Sequence, residues 1–288
     1  MESEISAINI LHISALPVWP LEGKGGMPSL RETLHGHVRH GHSVLLVLPR
    51  YNVLGDRAYP ISIKDHEGFE THLVPCSWAP FLASVRRAAR KLGGGNELPY
   101  PIRWFLNLTL CFLLTTSFII AIKELHHSRK REFDLVYAHN QYAALAGWLT
   151  GKILRIPNVS RLYGTFLADL IKKPLVWLRY PVASAGFLIP HSLLICANDG
   201  TRGAEVAKKL GIDMCRFRFW QNGVDFPEQP PKITRKELLK PHAETGLRKD
   251  SCWVISCSRL SYWKHIDRIL HALAYARSAG CDCQLLVA

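Results

Sequence analysis

Short apolar runs alternate along this chain with stretches that gather their apolar residues on one helical face. INILHIS (8–14), SVLLVLP (43–49), DLVYAH (134–139), NVSRLYG (158–164), SLLICAN (192–198) and FRFWQN (217–222) are mostly near-continuous in apolar residues. A strand with one wet face would alternate; a continuous run suits a strand covered on both faces, as in a parallel sheet. Residues 28–40 put Leu30, Leu34 and Val38 on one side of a helix, with Pro28 suited to its first turn. Residues 141–154 and 199–210 read the same way. Strand, helix, strand in repetition predicts an α/β fold built on a doubly wound parallel sheet.

Two segments break this rhythm. Residues 226–247 carry three prolines by residue 231 and many charges, and read as a linker with one turn of helix. They divide the chain into a first domain (1–225) and a second unit (248–288). That unit offers a strand at 252–258, a helix at about 263–279 and a strand at 283–288. A domain usually needs roughly 100 residues, and no covering helix follows the last apolar strand. The expectation is therefore an incomplete second domain in a truncated chain.

The other break is WFLNLTLCFLLTTSFIIAI (104–122), 19 residues without a charge and just long enough to span a bilayer. Arg86, Arg87, Arg90 and Lys91 flank it on one side, and Lys123, Arg129, Lys130 and Arg131 on the other. Asn107, Thr109, Thr115, Thr116 and Ser117 dilute it. A span here would also place strands of one sheet on opposite sides of a membrane. The favoured reading is a helix that covers the sheet and lies partly against lipid.

Composition changes this picture in three places. The formal charge of +13 suits an anionic partner, whether nucleic acid, anionic lipid or a nucleotide diphosphate. The eight cysteines include no CxxC pair, so buried free thiols in a reducing compartment are favoured over a zinc site. Cys281 and Cys283 are expected on one face of a strand. The acidic start Met-Glu-Ser-Glu is unlike a signal peptide, and a cytoplasmic protein is expected.

Chemistry is sought where strands end, because ligands of parallel sheets bind beyond the carboxyl ends. The glycine loop 23–26 precedes a helix whose free N–H groups could face an anion, but a plain tight turn reads equally well. His139, with Asn140 and Gln141, ends a strand, and Gly164-Thr165 ends the next; either can be structural. Asn198-Asp199 can be a helix cap. Asn222-Gly223-Val224-Asp225 carries a turn signal. Arg259 ends a strand and Lys264 opens a helix; two cations there would suit a diphosphate, or be solvated surface charge.

The order of these pieces resembles the retaining glycosyltransferases of the GT-B fold, in the family 4 grouping. The matching pieces are GKGGMPSLRETLHGHVRHGHSVLLVLP, FDLVYAHNQYAALAG, RLYGT, LICANDGTRGAEVAKKLGI, WQNGVD and SRLSYWKHIDRILHALAYA, over about residues 8–50 and 133–279. The resemblance implies two Rossmann-like domains, the first for the acceptor and the second for the nucleotide sugar. It implies Gly25 and Gly26 near the donor phosphate and acceptor, and His139 at the sugar. It gives Arg259 and Lys264 to the departing diphosphate, with Thr165 of RLYGT as a further donor-binding residue. His139, Arg259 and Lys264 are the implied catalytic set. No cofactor beyond the nucleoside diphosphate sugar donor is expected, and no metal.

The family's Glu-x7-Glu carboxylates belong to the second half of the second domain. Glu124 and Glu132 share that spacing but stand in the wrong domain. These 288 residues alone are therefore expected to be inactive. The expected partners are a nucleotide sugar, a glycan or lipid-linked acceptor and an anionic membrane surface, with no nucleic acid. Rival readings are a GT-B sugar-nucleotide epimerase and a non-catalytic membrane-surface binding protein.

Overall fold

In the computed structural model the described residues are 6–19, 27–54, 57–61, 63, 68–93, 99–128, 131–223, 234–239, 246–257 and 264–287. The chain divides into two units, Met1–Gly223 and Val224–Ala288.

The first unit follows the strand-helix alternation of its sequence. Its elements are β1 (Asn9–Ser14), α1 (Pro28–Arg39), β2 (Ser43–Pro49), β3 (Glu70–Val74), α2 (Ala79–Leu92), α3 (Tyr100–Ser128), β4 (Leu135–His139) and α4 (Gln141–Leu154). They continue with β5 (Asn158–Leu162), α5 (Val176–Arg179), α6 (Pro181–Leu188), β6 (Leu193–Ala197), α7 (Gly203–Lys209) and β7 (Phe217–Trp220). All seven strands pair in parallel in the order β3-β2-β1-β4-β5-β6-β7. Their carboxyl ends therefore share one edge.

Alternate residues of β1, β2 and β4 are buried on opposite faces of the sheet. Leu11, Ile13, Leu45, Val47, Val136 and Ala138 meet α2, α3 and α4 on one face. Val44, Leu46 and Leu48 meet Leu30 and Leu34 of α1 on the other. This two-sided burial is why β1, β2 and β4 read as continuous apolar runs. β3, ETHLV, lies at the sheet edge and is only half buried, so its sequence carried no such signal. α4 lies tightly on β4: a Cβ added at Gly147 would come 2.6 Å from the Cβ of Ala138. Only glycine permits that approach.

The apolar run 104–122 lies within the 29-residue α3. Leu106, Leu110, Leu114, Phe118, Ile122 and Leu125 recur at helical spacing and are buried on the sheet. Each fully buried side chain of this size contributes about 1.5–3 kcal/mol. Phe105, Phe112 and Ile120 point outward, each more than 60% exposed. α3 is long and apolar enough to cross a membrane, yet it covers a sheet. Among its basic flanks Arg86 is not a surface charge; it is buried and donates to the Val53 carbonyl at 2.8 Å.

The second unit holds α8 (Arg235–Leu239), β8 (Cys252–Ser256), α9 (Ile266–Ser278) and β9 (Cys283–Val287). β8 and β9 pair in parallel across α9. Among the described residues of 226–247, α8 is helical. Cys281 lies before β9 and is exposed, whereas Cys283 opens the strand and is buried. The expected sharing of one strand face fails because Cys281 precedes the strand, which begins at Cys283.

Candidate functional site

The strand order reverses direction once. The chain steps outward from β1 through β2 to β3, then returns to the far side of β1 as β4. The crevice beyond the carboxyl ends of β1 and β4 is the topological switch point, where open α/β sheets bind ligands. Ser14 and His139 are paired residues at that place.

The residue after His139 has an uncommon backbone. Asn140 adopts φ 74° and ψ 164°, a region that residues other than glycine seldom enter. Three bonds hold it there. Its N–H donates to the Arg161 carbonyl at 2.8 Å, and its Oδ1 accepts from the Tyr142 N–H at 2.6 Å. Its carbonyl accepts from Ala143 at 3.2 Å. Asn140 thus caps α4 while turning the chain sharply out of β4.

Beneath this turn four side chains join in one line. His37 Nδ1 lies 3.0 Å from His12 Nε2, His12 Nδ1 lies 2.8 Å from His139 Nε2, and His139 Nδ1 lies 2.8 Å from the Tyr163 hydroxyl. Strand register explains the grouping: His12 pairs with Tyr137, whose ring stacks on both His12 and His139. α1 supplies His37. His12 and His139 are wholly buried, and both ring nitrogens of each are engaged. The imidazoles bond in series rather than converge on a point. Among the described residues no three His, Cys, Asp or Glu side chains gather to hold a metal ion.

Burial first, then the neighbouring charges of His139 and His37, holds the His12 pKa well below its ordinary value. Burial, then Arg161 and His37, does the same to His139. His37 falls to about 4 through burial and then His42, His40 and Arg161. All three are neutral near pH 7. Burial pushes the Tyr163 phenol upward, against the pull of Arg161.

Arg161 is the cation of this cluster. It donates to Thr33 Oγ1 at 2.7 Å and to Asn222 Oδ1 at 2.8 Å, and its guanidinium lies 5.4 Å from the centre of the Tyr163 ring. Asn222, read from sequence as part of a turn, is thereby tied to β5. The Gly164-Thr165 loop is fixed to its neighbour: Thr165 N–H donates to Thr201 Oγ1 at 3.0 Å, and Thr165 Oγ1 accepts from Leu167 N–H. Gly164 has φ +88°, and a Cβ there would fall 2.2 Å from the Asp199 carboxylate. Asp199 binds Thr201 and shapes the turn before α7, whose N-cap is Arg202.

The structure therefore brings His139 and Thr165 to the same sheet edge. Gly25, Gly26 and Arg259 lie outside the described residues. Lys264 belongs to the second unit, exposed and two residues ahead of α9. Sequence reasoning missed His12, His37 and Arg161. For His12 and Arg161 the available signal was polarity inside strands, where a buried polar group needs a partner; His37, on helix α1, carried no such signal.

No family model and no curated protein sequence matches the chain. Solved structures do. HepE from Anabaena, in complex with UDP-glucose, is 17% identical with a TM-score of 0.51 over 97% of this chain. The catalytic domain of starch synthase IV from Arabidopsis thaliana, bound to ADP and acarbose, is 16% identical with a TM-score of 0.61 over 98% of this chain and 69% of its own. Sucrose-phosphate synthase from Thermosynechococcus elongatus is 14% identical with a TM-score of 0.57 over 97% of this chain and 62% of its own. These neighbours are GT-B glycosyltransferases, and the fold is of that α/β, Rossmann-like type. The chain spans 60% of the length of HepE.

Proposed function

We propose that this chain belongs to a glycosyltransferase that moves a sugar from a nucleoside diphosphate sugar to a hydroxyl acceptor, with retention of anomeric configuration. One observation carries the reading: a rigid histidine-rich cluster stands at the switch point of a fold whose solved examples include HepE with UDP-glucose. In this reading His139, wholly buried with both ring nitrogens engaged, stands behind the sugar site and shapes it without touching the sugar, and Gly25, Gly26 and Thr165 border donor and acceptor. Arg259 and Lys264 stabilise the charge that develops on the departing diphosphate, the kind of contribution that is often the largest in catalysis. The acceptor is a glycan or a lipid-linked saccharide. The protein works in the cytoplasm, attached peripherally to the inner face of the membrane through basic charge and the exposed apolar residues of α3.

The proposal includes inactivity of these 288 residues by themselves, since the Glu-x7-Glu carboxylates of the resemblance are not in 248–288. The test is a panel of nucleotide sugars with glycan and lipid-linked acceptors, run on this chain and on any longer polypeptide its gene encodes. NMR of the product reads the anomeric configuration. A free epimerised nucleotide sugar would favour an epimerase instead. Absence of transfer by every encoded polypeptide would end the transferase reading.

A further inference from the structure

Two cavities open side by side where the amino end of α3 meets α5 and α6. The inner one reaches Gln141, two residues beyond His139, and is walled by Trp104, Phe166 and Tyr180 with Arg103 and Arg179. The outer one is an open groove of about 610 Å³ lined by Pro101, Pro174, Leu175 and Leu178. Tyr100, Trp104 and Arg179 line both, so the two adjoin. The walls are built rather than incidental. Tyr100 Oη donates to the Arg179 carbonyl at 2.7 Å, and Trp104 Nε1 donates to the Leu178 carbonyl at 2.9 Å. The Arg179 guanidinium lies over the Tyr100 and Tyr180 rings at 5.1 and 5.9 Å from their centres.

The polarity of this channel runs in one direction. Its inner end, near the switch point, presents cations and aromatic faces. Its outer end is apolar and opens among the exposed side chains of Leu175, Trp177 and Leu178. An exposed apolar cluster beside fixed cations marks an interaction surface. A free sugar or nucleotide would leave the outer groove unfilled, and a hydrocarbon alone would strip water from Arg179 without a partner. A molecule with a phosphate head and a hydrocarbon tail satisfies both ends, with the head toward the chemistry.

We infer that this channel binds the phosphate-bearing end of a lipid-linked acceptor, with the phosphate at Arg179 and the hydrocarbon chain along Leu175 and Leu178. The inference rests on the transferase reading for its name of acceptor, but the binding does not need a donor.

The test titrates the chain with farnesyl phosphate, farnesol and inorganic phosphate, following tryptophan fluorescence, without any nucleotide sugar. Farnesyl phosphate is expected to bind about tenfold or more tighter than either half alone. Arg179→Glu, at an exposed side chain, should weaken farnesyl phosphate by about tenfold and leave farnesol unchanged. Leu178→Asp should weaken both. Arg268→Glu, the same charge change on the second unit, should alter neither. Equal binding of farnesol and farnesyl phosphate, or equal losses in the Arg179 and Arg268 variants, would overturn the inference. Tight farnesyl phosphate binding in a polypeptide that never transfers sugar would keep the channel and remove the transferase reading. Transfer to a soluble glycan with no farnesyl phosphate binding would do the reverse.

Discussion

Asn140 offers the sharpest test of how the switch point is built, because two substitutions there should move stability in opposite directions. Its backbone, at φ 74° and ψ 164°, lies in a region nearly reserved for glycine, and such a conformation costs about 1–3 kcal/mol. Its side chain returns part of that through the 2.6 Å bond to the Tyr142 N–H. Asn140→Ala keeps the strained backbone and loses the cap, which costs about 1 kcal/mol. Asn140→Gly removes about 2 kcal/mol of strain. Against this stand a few tenths for the cap and about 0.7 kcal/mol of extra freedom in the unfolded chain. The glycine variant should therefore gain about 1 kcal/mol, and the two variants should differ by about 2 kcal/mol. Urea unfolding reads this as midpoints displaced in opposite directions at constant slope. Equal destabilisation by both would show that the turn stores no strain, and the reasoning would fail. In an active polypeptide the stabilised glycine variant should turn over more slowly, since its freed backbone no longer fixes the Asn140-Gln141 turn beside the cluster.

Other expectations follow from the same geometry. The folded His191 pKa lies near 4 through burial, so its neutral form stabilises the fold above about pH 6.5; that contribution, roughly 3 kcal/mol, is lost as pH falls from 6.5 through 4. Urea midpoints measured across that window should fall, and His191→Gln should flatten part of the slope. Nitrogen-15 NMR at pH 7 should show His12 and His139 each as one fixed neutral tautomer, and His37→Phe should shift the resonances of both. The chain should sediment with anionic vesicles, be partly released by salt as charges are screened, and sediment less as Phe112→Asp. In an active polypeptide Lys264→Ala should lower turnover while leaving the urea midpoint within about 0.5 kcal/mol of wild type, because its side chain is exposed.

What the sequence disclosed depended on burial. β1, β2, β4 and β6 announce themselves because both faces are covered, and α1 because its amphipathic stripe begins at a first-turn proline. β3 carries no such signal, since an edge strand with half-exposed side chains resembles a loop. α2 begins with Ala79-Pro80 and buries Arg86 among its apolar positions, so its core face looks like charged surface. His139 was visible as the polar residue at the end of a strand. Its partners were not, because His12 is 127 residues away and His37 lies within a helix. Only the register of β1 against β4 makes them neighbours, and register is a property of the assembled sheet.

The cluster itself obeys a constraint that no single residue shows. A neutral imidazole has one N–H and one lone pair, and a phenol can give one proton. Three imidazoles and a phenol joined in series by three bonds can therefore be arranged self-consistently in only two ways, with every donor pointing one way or every donor pointing the other. A phenol is the better donor and an imidazole nitrogen the better acceptor. The favoured sense is thus Tyr163 to His139 Nδ1, His139 Nε2–H to His12 Nδ1, and His12 Nε2–H to His37 Nδ1. A positive charge on any of these rings would disturb the sequence, and burial holds the rings neutral, with Arg161 adding to it at His139 and His37. The tautomer of His139 is consequently fixed from both ends, by Tyr163 just after β5 and by His37 of α1. Buried polar groups cost stability unless every bond is made, and here the two fully buried imidazoles use both of their nitrogens. That arrangement gives the switch point a histidine that cannot rotate, at the end of β4 just before the Asn140 turn.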